Sequence, residues 1–206
     1  MPEIVFAAIS PHPPIILPSV GSIEDRLQVK KTIESLENLG EKLKKAKPEM
    51  IIISSPHPDW GFNVPLFFLA GDFDGKIRTY LMGTENPDYY FEQGKKTYQE
   101  TDKNKKIAVI ASGDLSHCLK KDGPYGFQAD GPKFDKTLIE SLKKKDIKTI
   151  LKLDEMFPEA GECGLRSFCF LLGILEASGL NWQPEILSYE GPFGVGYLTA
   201  DFKLSR

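Results

Sequence analysis

The chain alternates short, wholly apolar runs with longer stretches in which apolar residues recur every three or four positions. Ile4 to Ile9, Met50 to Ile53 and Ile107 to Ala111 carry no polar interruption, the pattern of strands covered on both faces of a sheet. Val64 to Ala70 and Lys76 to Met82 read as two more strands around the turn Gly71-Asp72-Phe73-Asp74-Gly75. Pro184 to Tyr189 and Val195 to Phe202 read as a closing hairpin around Glu190-Gly191-Pro192-Phe193-Gly194. Between these runs the period changes. Ser22, with Asp25 three residues on, caps a long amphipathic helix whose buried stripe is Ile33, Leu36, Leu39, Leu43 and Ala46, and Pro48 closes it. Asn86-Pro87 starts a helix through about Asp102, and Pro132 to Lys144 and Ile147 to Leu153 are Lys-rich and amphipathic. Glu162 to Ala177 is apolar enough to pack in the middle of the molecule. Helices interleaved with apolar strands predict a single-domain α/β sandwich over residues 1–206, with a mixed central β-sheet flanked by helices.

Composition narrows the partners. The 206 residues carry 26 Lys+Arg against 29 Asp+Glu, and a slightly acidic chain lacks the basic surface that nucleic acids and anionic membranes select. The longest nearly apolar run, Phe168 to Leu175, is far short of the ~20 residues of a membrane span, and Met1 to Val20 has no basic leader with a cleavage site. The expected protein is therefore cytoplasmic. Three cysteines without a CxxC pair fit a reducing compartment. A chain of this length buries enough surface to fold without a metal staple, so any metal serves chemistry. Phe67-Phe68 or an exposed edge strand offers a surface for a homodimer.

All three histidines stand directly after predicted strands. His12 and His57 each lie in a Ser-Pro-His-Pro setting, and His117 ends Ser112-Gly113-Asp114-Leu115-Ser116-His117. In open α/β sheets ligands bind beyond the C-terminal ends of strands, and flanking prolines lower the entropy lost when an imidazole is held for a metal. Two neutral imidazoles need a third donor. The segment Pro158-Glu159-Ala160-Gly161-Glu162-Cys163-Gly164 offers two carboxylates and a thiol at a helix start; Glu162 is the first choice, with Glu159 and Cys163 as alternatives. Two His and a carboxylate on one face of an ion suit non-haem Fe(II), while Zn(II) accepts the same ligands and runs hydrolysis. His117 is then the spare imidazole, suited to acid/base work at neutral pH, and Asp114 orients its ring or caps the following turn. The glycines Gly191, Gly194 and Gly196 lack dinucleotide-fingerprint spacing, and no GxxxxGK[ST] occurs. Lys143-Lys144-Lys145 reads as a solvated helix face.

Ser10-Pro11-His12, Pro56-His57-Pro58, Ser112 to His117, Phe134-Asp135 and Glu162-Cys163-Gly164, in this order, resemble the class III extradiol ring-cleavage dioxygenase superfamily, which includes Memo-like proteins. The resemblance runs from about Ile9 to Leu198. It implies non-haem Fe(II), with Zn(II) or Mn(II) as alternative ions, held by His12, His57 and Glu162. It also implies His117 as acid/base, a small aromatic substrate of the catechol type, and O₂, which together open the ring beside the diol. Asp114 to His117 and Cys163-Gly164 also resemble the Memo-like branch, in which a Cys takes the third ligand position and ring cleavage is not the accepted role. A zinc-dependent hydrolase is a further alternative.

Overall fold

A computed structural model describes residues 1–205. Six strands form one mixed sheet in the order β3-β2-β4-β1-β6-β5, where β1 is Glu3–Ser10, β2 Met50–Ser55, β3 Lys76–Leu81, β4 Lys106–Ser112, β5 Asn181–Glu190 and β6 Tyr197–Ser205. The first four are mutually parallel, and β6 runs antiparallel to both its neighbours. The expected mixed α/β sandwich is thus the observed one.

Strand alternation splits the apolar runs between two cores. From β2, Met50 and Ile52 enter one core while Ile51 and Ile53 enter the other; from β4, Ile107, Val109 and Ala111 oppose Ala108 and Ile110. The helices that cover these faces are α1 (Ile23–Gln28), α2 (Lys30–Ala46), α3 (Trp60–Leu69), α4 (Pro87–Glu100), α5 (Asp130–Lys144), α6 (Ile147–Ile150), α7 (Leu153–Met156) and α8 (Leu165–Ser178). Residues of α2 and α3 join the core of Ile51 and Ile53, while α4, α5 and α8 close the opposite face.

Two expectations are corrected. Val64 to Ala70 is not a strand: it falls almost wholly within α3, whose Pro65 occupies a helical position. An apolar helix wedged between other elements loses the polar face that identifies it, so an uninterrupted hydrophobic run mimics a buried strand. The segment after Ser22 is two helices, not one. Ser22 does form a reciprocal capping box with Asp25, but α1 ends at Val29 before α2 begins. No helix among the described residues is long and apolar enough to cross a membrane.

Candidate metal centre

Three adjacent strands end at the same edge. Pairing places Ser10 of β1 opposite Ser112 of β4, and Ser54 of β2 opposite Ala111 of β4. The chain leaving β1 supplies His12, that leaving β2 supplies His57, and that leaving β4, in the middle, supplies Asp114 and His117. The fourth contributor is the loop into α8. Its approach depends on two glycines: a Cβ on Gly113 would sit 2.2 Å from the Gly164 Cα, so only backbone without side chains fits at this crossing. The Asp114 carbonyl accepts from the Gly164 N–H at 3.0 Å, and the His117 N–H donates to the Gly161 carbonyl at 3.2 Å. These bonds lock the loop onto the end of β4.

The result brings Cys163 into the site. Nitrogen atoms of His12 and His57 and the Cys163 Sγ lie within 4.8 Å of one another, and Asp114, His117 and Cys163 form a second such group sharing the thiol. His12 Nε2 stands 3.6 Å from Cys163 Sγ and 3.9 Å from Asp114 Oδ2. The Asp114 N–H donates to Cys163 Sγ at 3.3 Å, and Asp114 Oδ1 accepts from the His12 N–H at 2.9 Å. One aspartate therefore ties both sides of the cluster together, by its side chain to one and its main chain to the other. The rings of His12 and His57 meet edge to face at 5.2 Å.

Glu162, the expected third donor, is not brought together with the imidazoles. Its Oε2 accepts from the Leu165 N–H at 2.6 Å and its Oε1 lies 3.4 Å from Arg166 Nη1. It satisfies an orphan amide at the start of α8 and leaves the adjacent Cys163 to face the site. Glu159 is exposed and belongs to neither group of potential ligands. Asp114 and His117 lie beside Cys163, and the Asp114 carboxylate, expected to orient the His117 ring or cap a turn, accepts instead from the His12 N–H.

Burial sets the protonation of these groups. His12 is almost fully buried, and desolvation, then the neighbouring His57, lowers its pKa to about 3. It is a neutral imidazole at physiological pH, with a lone pair to offer. Desolvation raises Asp114 to about 6 against the bond from His12 and the nearby His117, and burial pushes the Cys163 thiol up, helped by Asp114. Burial lowers His117, although Asp114 opposes this. Its Nε2 is buried without any hydrogen-bond partner. A buried ring nitrogen lacking a partner at the rim of a donor cluster is the mark of a site shaped for something else to occupy.

Neither of the two aromatic side chains at the rim stood out in the sequence. Trp60 packs against the His57 ring at 5.3 Å and Tyr125 against the His117 ring at 5.0 Å, and both remain largely exposed. Trp60 follows His57 by three residues at the start of α3, a spacing that could have marked it. Nothing local marks Tyr125. Ser112, treated in sequence as part of a motif, proves to hydrogen-bond the His12 ring.

The donor set fits a metal ion. Bonds of ~2.0–2.1 Å to nitrogen and ~2.3 Å to sulfur keep donors at most about 4.4 Å apart, and the 3.6 Å from His12 Nε2 to Cys163 Sγ lies within that span.

The family model described as the catalytic LigB subunit of aromatic ring-opening dioxygenase matches residues 56–200. "Protein CA_C1420" of Clostridium acetobutylicum is 30% identical over an alignment that covers 91% of this chain. The chain spans about half of that relative's length, 55%. Among solved structures, the uncharacterized protein JW3007 from Escherichia coli K12 superposes with a TM-score of 0.64 at 16% identity, covering 95% of this chain and 98% of that one, a likeness of fold. With a mixed sheet, strand-end histidines and a family match over most of its length, this chain belongs to the aromatic ring-opening dioxygenase family typified by the catalytic LigB subunit, within the class III extradiol superfamily.

Proposed function

We propose that the protein is a metal-binding protein of the Memo-like kind, holding one ion through His12 Nε2, an imidazole nitrogen of His57 and the Cys163 thiolate. The observation that carries this reading is the pairing of Cys163 Sγ with His12 Nε2 at 3.6 Å while the Glu162 carboxylate serves the Leu165 amide. A thiolate with two imidazoles favours Zn(II), Cu(I) or Fe(II) over the hard cations that carboxylate cages select, and such an ion supplies Lewis acidity or a redox couple. Binding replaces the thiol proton, so affinity rises with pH.

The chain's own residues then divide the work. Asp114 holds the His12 main chain and, through its amide, the sulfur. His117 Nε2, buried without a partner, takes a proton from a substrate hydroxyl or returns one. Trp60 and Tyr125 offer aromatic faces at the rim for a planar substrate.

A second reading, Fe(II)-dependent extradiol cleavage of a catechol with O₂, is favoured by the family match over residues 56–200. It needs the same two imidazoles and His117, with the ring-opening chemistry tolerating sulfur in place of a carboxylate.

Titration of the metal-free protein with Co(II), whose thiolate complexes absorb strongly in the near ultraviolet, separates the ligand sets. The band should form in the unmutated protein and in Glu162→Gln and be lost in Cys163→Ser. Absence of the band in the unmutated protein, with Co(II) binding kept in Cys163→Ser and lost in Glu162→Gln, would restore the carboxylate site. Rapid O₂ uptake and ring-opened product from Fe(II)-loaded protein with catechols would decide for the second reading.

A further inference from the structure

The reading of His12 as a ligand requires a particular form of its ring. A neutral imidazole carries its proton on one nitrogen only, and only the bare nitrogen can bind a metal. The hydrogen bond at the other nitrogen decides which. His12 Nδ1 lies 2.8 Å from Ser112 Oγ, and Ser112 Oγ lies 2.5 Å from the Gly61 carbonyl. A hydroxyl has one proton to give. A carbonyl can only accept, so the Ser112 proton goes to Gly61, and Ser112 accepts from the ring.

The Gly61 carbonyl has a reason to be waiting. It lies in the first turn of α3, where a regular helix would satisfy it with the N–H four residues on. That residue is Pro65, which has none. A buried carbonyl without a donor is costly, and Ser112, fully buried at the end of β4, meets it. The direction of every proton along this line is thereby fixed.

We propose that Ser112 is a positioning residue for the metal centre. Its hydroxyl, oriented by the Gly61 carbonyl that Pro65 leaves free, holds His12 as the Nδ1–H tautomer with the Nε2 lone pair facing Cys163 and His57. This rests on His12 being a ligand, but the tautomer is a property of the metal-free protein and can be read without any ion. The relay joins the elements that carry the cluster: β4 supplies the hydroxyl, α3 follows directly on the His57 loop, and His12 follows β1.

The experiment is a long-range ¹H–¹⁵N spectrum of the metal-free, uniformly ¹⁵N-labelled protein at neutral pH. With three histidines in the chain, the His12 signals are assigned by their loss in His12→Gln. The expected pattern is a protonated, pyrrole-type Nδ1 and a bare, pyridine-type Nε2 in the unmutated protein. Ser112→Ala should give a tautomer mixture and weaken Zn(II) binding ~10–100-fold, and Ser112→Thr, which keeps the hydroxyl, should restore both. An Nε2–H tautomer in the unmutated protein would overturn the relay, as would an unchanged tautomer and affinity in Ser112→Ala. Should a variant fold poorly, the unmutated spectrum alone decides. A protein with the expected tautomer that binds no Zn(II) would support the relay and sink the metal reading.

Discussion

Asp135, on α5, stands one hydrogen bond from the His117 segment. Its Oδ1 accepts from the Ser116 N–H at 2.8 Å and its Oδ2 from the Tyr189 hydroxyl at 2.5 Å. Burial raises its pKa to about 7, against the pull of both bonds. Between the ordinary 3.8 and about 7 the native state keeps a proton that the unfolded chain has lost. The contribution of Asp135 is therefore fully present below 3.8 and lost as pH rises to about 7. Asp135→Asn stays neutral throughout, so its urea midpoint should gain on the unmutated protein as pH rises from about 4 to about 8; parallel profiles would contradict this. The same scale shows where sequence stops being legible. That His12, His57 and His117 follow strands was readable, because buried strands leave uninterrupted apolar runs. Which of two consecutive residues, Glu162 or Cys163, faces the cluster was not. It depends on Gly113 and Gly164 meeting from segments about fifty positions apart, and on an amide of α8 needing the carboxylate.

At the level of elements, α4 and α8 cross with almost no side chain between them. A Cβ on Gly173 would lie 2.0 Å from the Phe91 carbonyl oxygen, and one on Gly94 2.1 Å from that of Phe170. Backbone cannot yield as a flexible side chain can, so Gly173→Ala should force the helices apart and cost about 1–3 kcal/mol, measured by urea unfolding. An unchanged midpoint would show that the pair slides freely. Since α8 follows Cys163 directly, the same variant should also loosen the site, seen as weaker metal binding. Amphipathic α2 and α5 were legible because each leaves one face in water and so shows its period, and the hairpin of β5 and β6 because a Gly- and Pro-containing turn separates its two strands. The α3 helix was not, because its apolar residues carry no period to read and Pro65 argues against helix by local rules. That proline is tolerated because Ser112 takes over the carbonyl it strands.

Over the whole molecule, parallel strands bring chain segments far apart in sequence to one sheet edge, and the loop into α8 delivers the sulfur to it. Within the cluster, His117 Nε2 is buried without a hydrogen-bond partner. An ion that binds only the folded form should stabilise it, by about 2.7 kcal/mol at a free concentration 100 times Kd. Calorimetry should show this rise in melting temperature with Zn(II) for the unmutated protein and for Glu162→Gln, and little of it for Cys163→Ser. Equal shifts in all three would place the ion elsewhere. The most direct test of the centre is X-ray absorption at the zinc edge of the Zn(II)-loaded protein. The account predicts one sulfur at ~2.3 Å and two imidazole nitrogens at ~2.0–2.1 Å. A shell of nitrogen and oxygen alone, without sulfur, would contradict it.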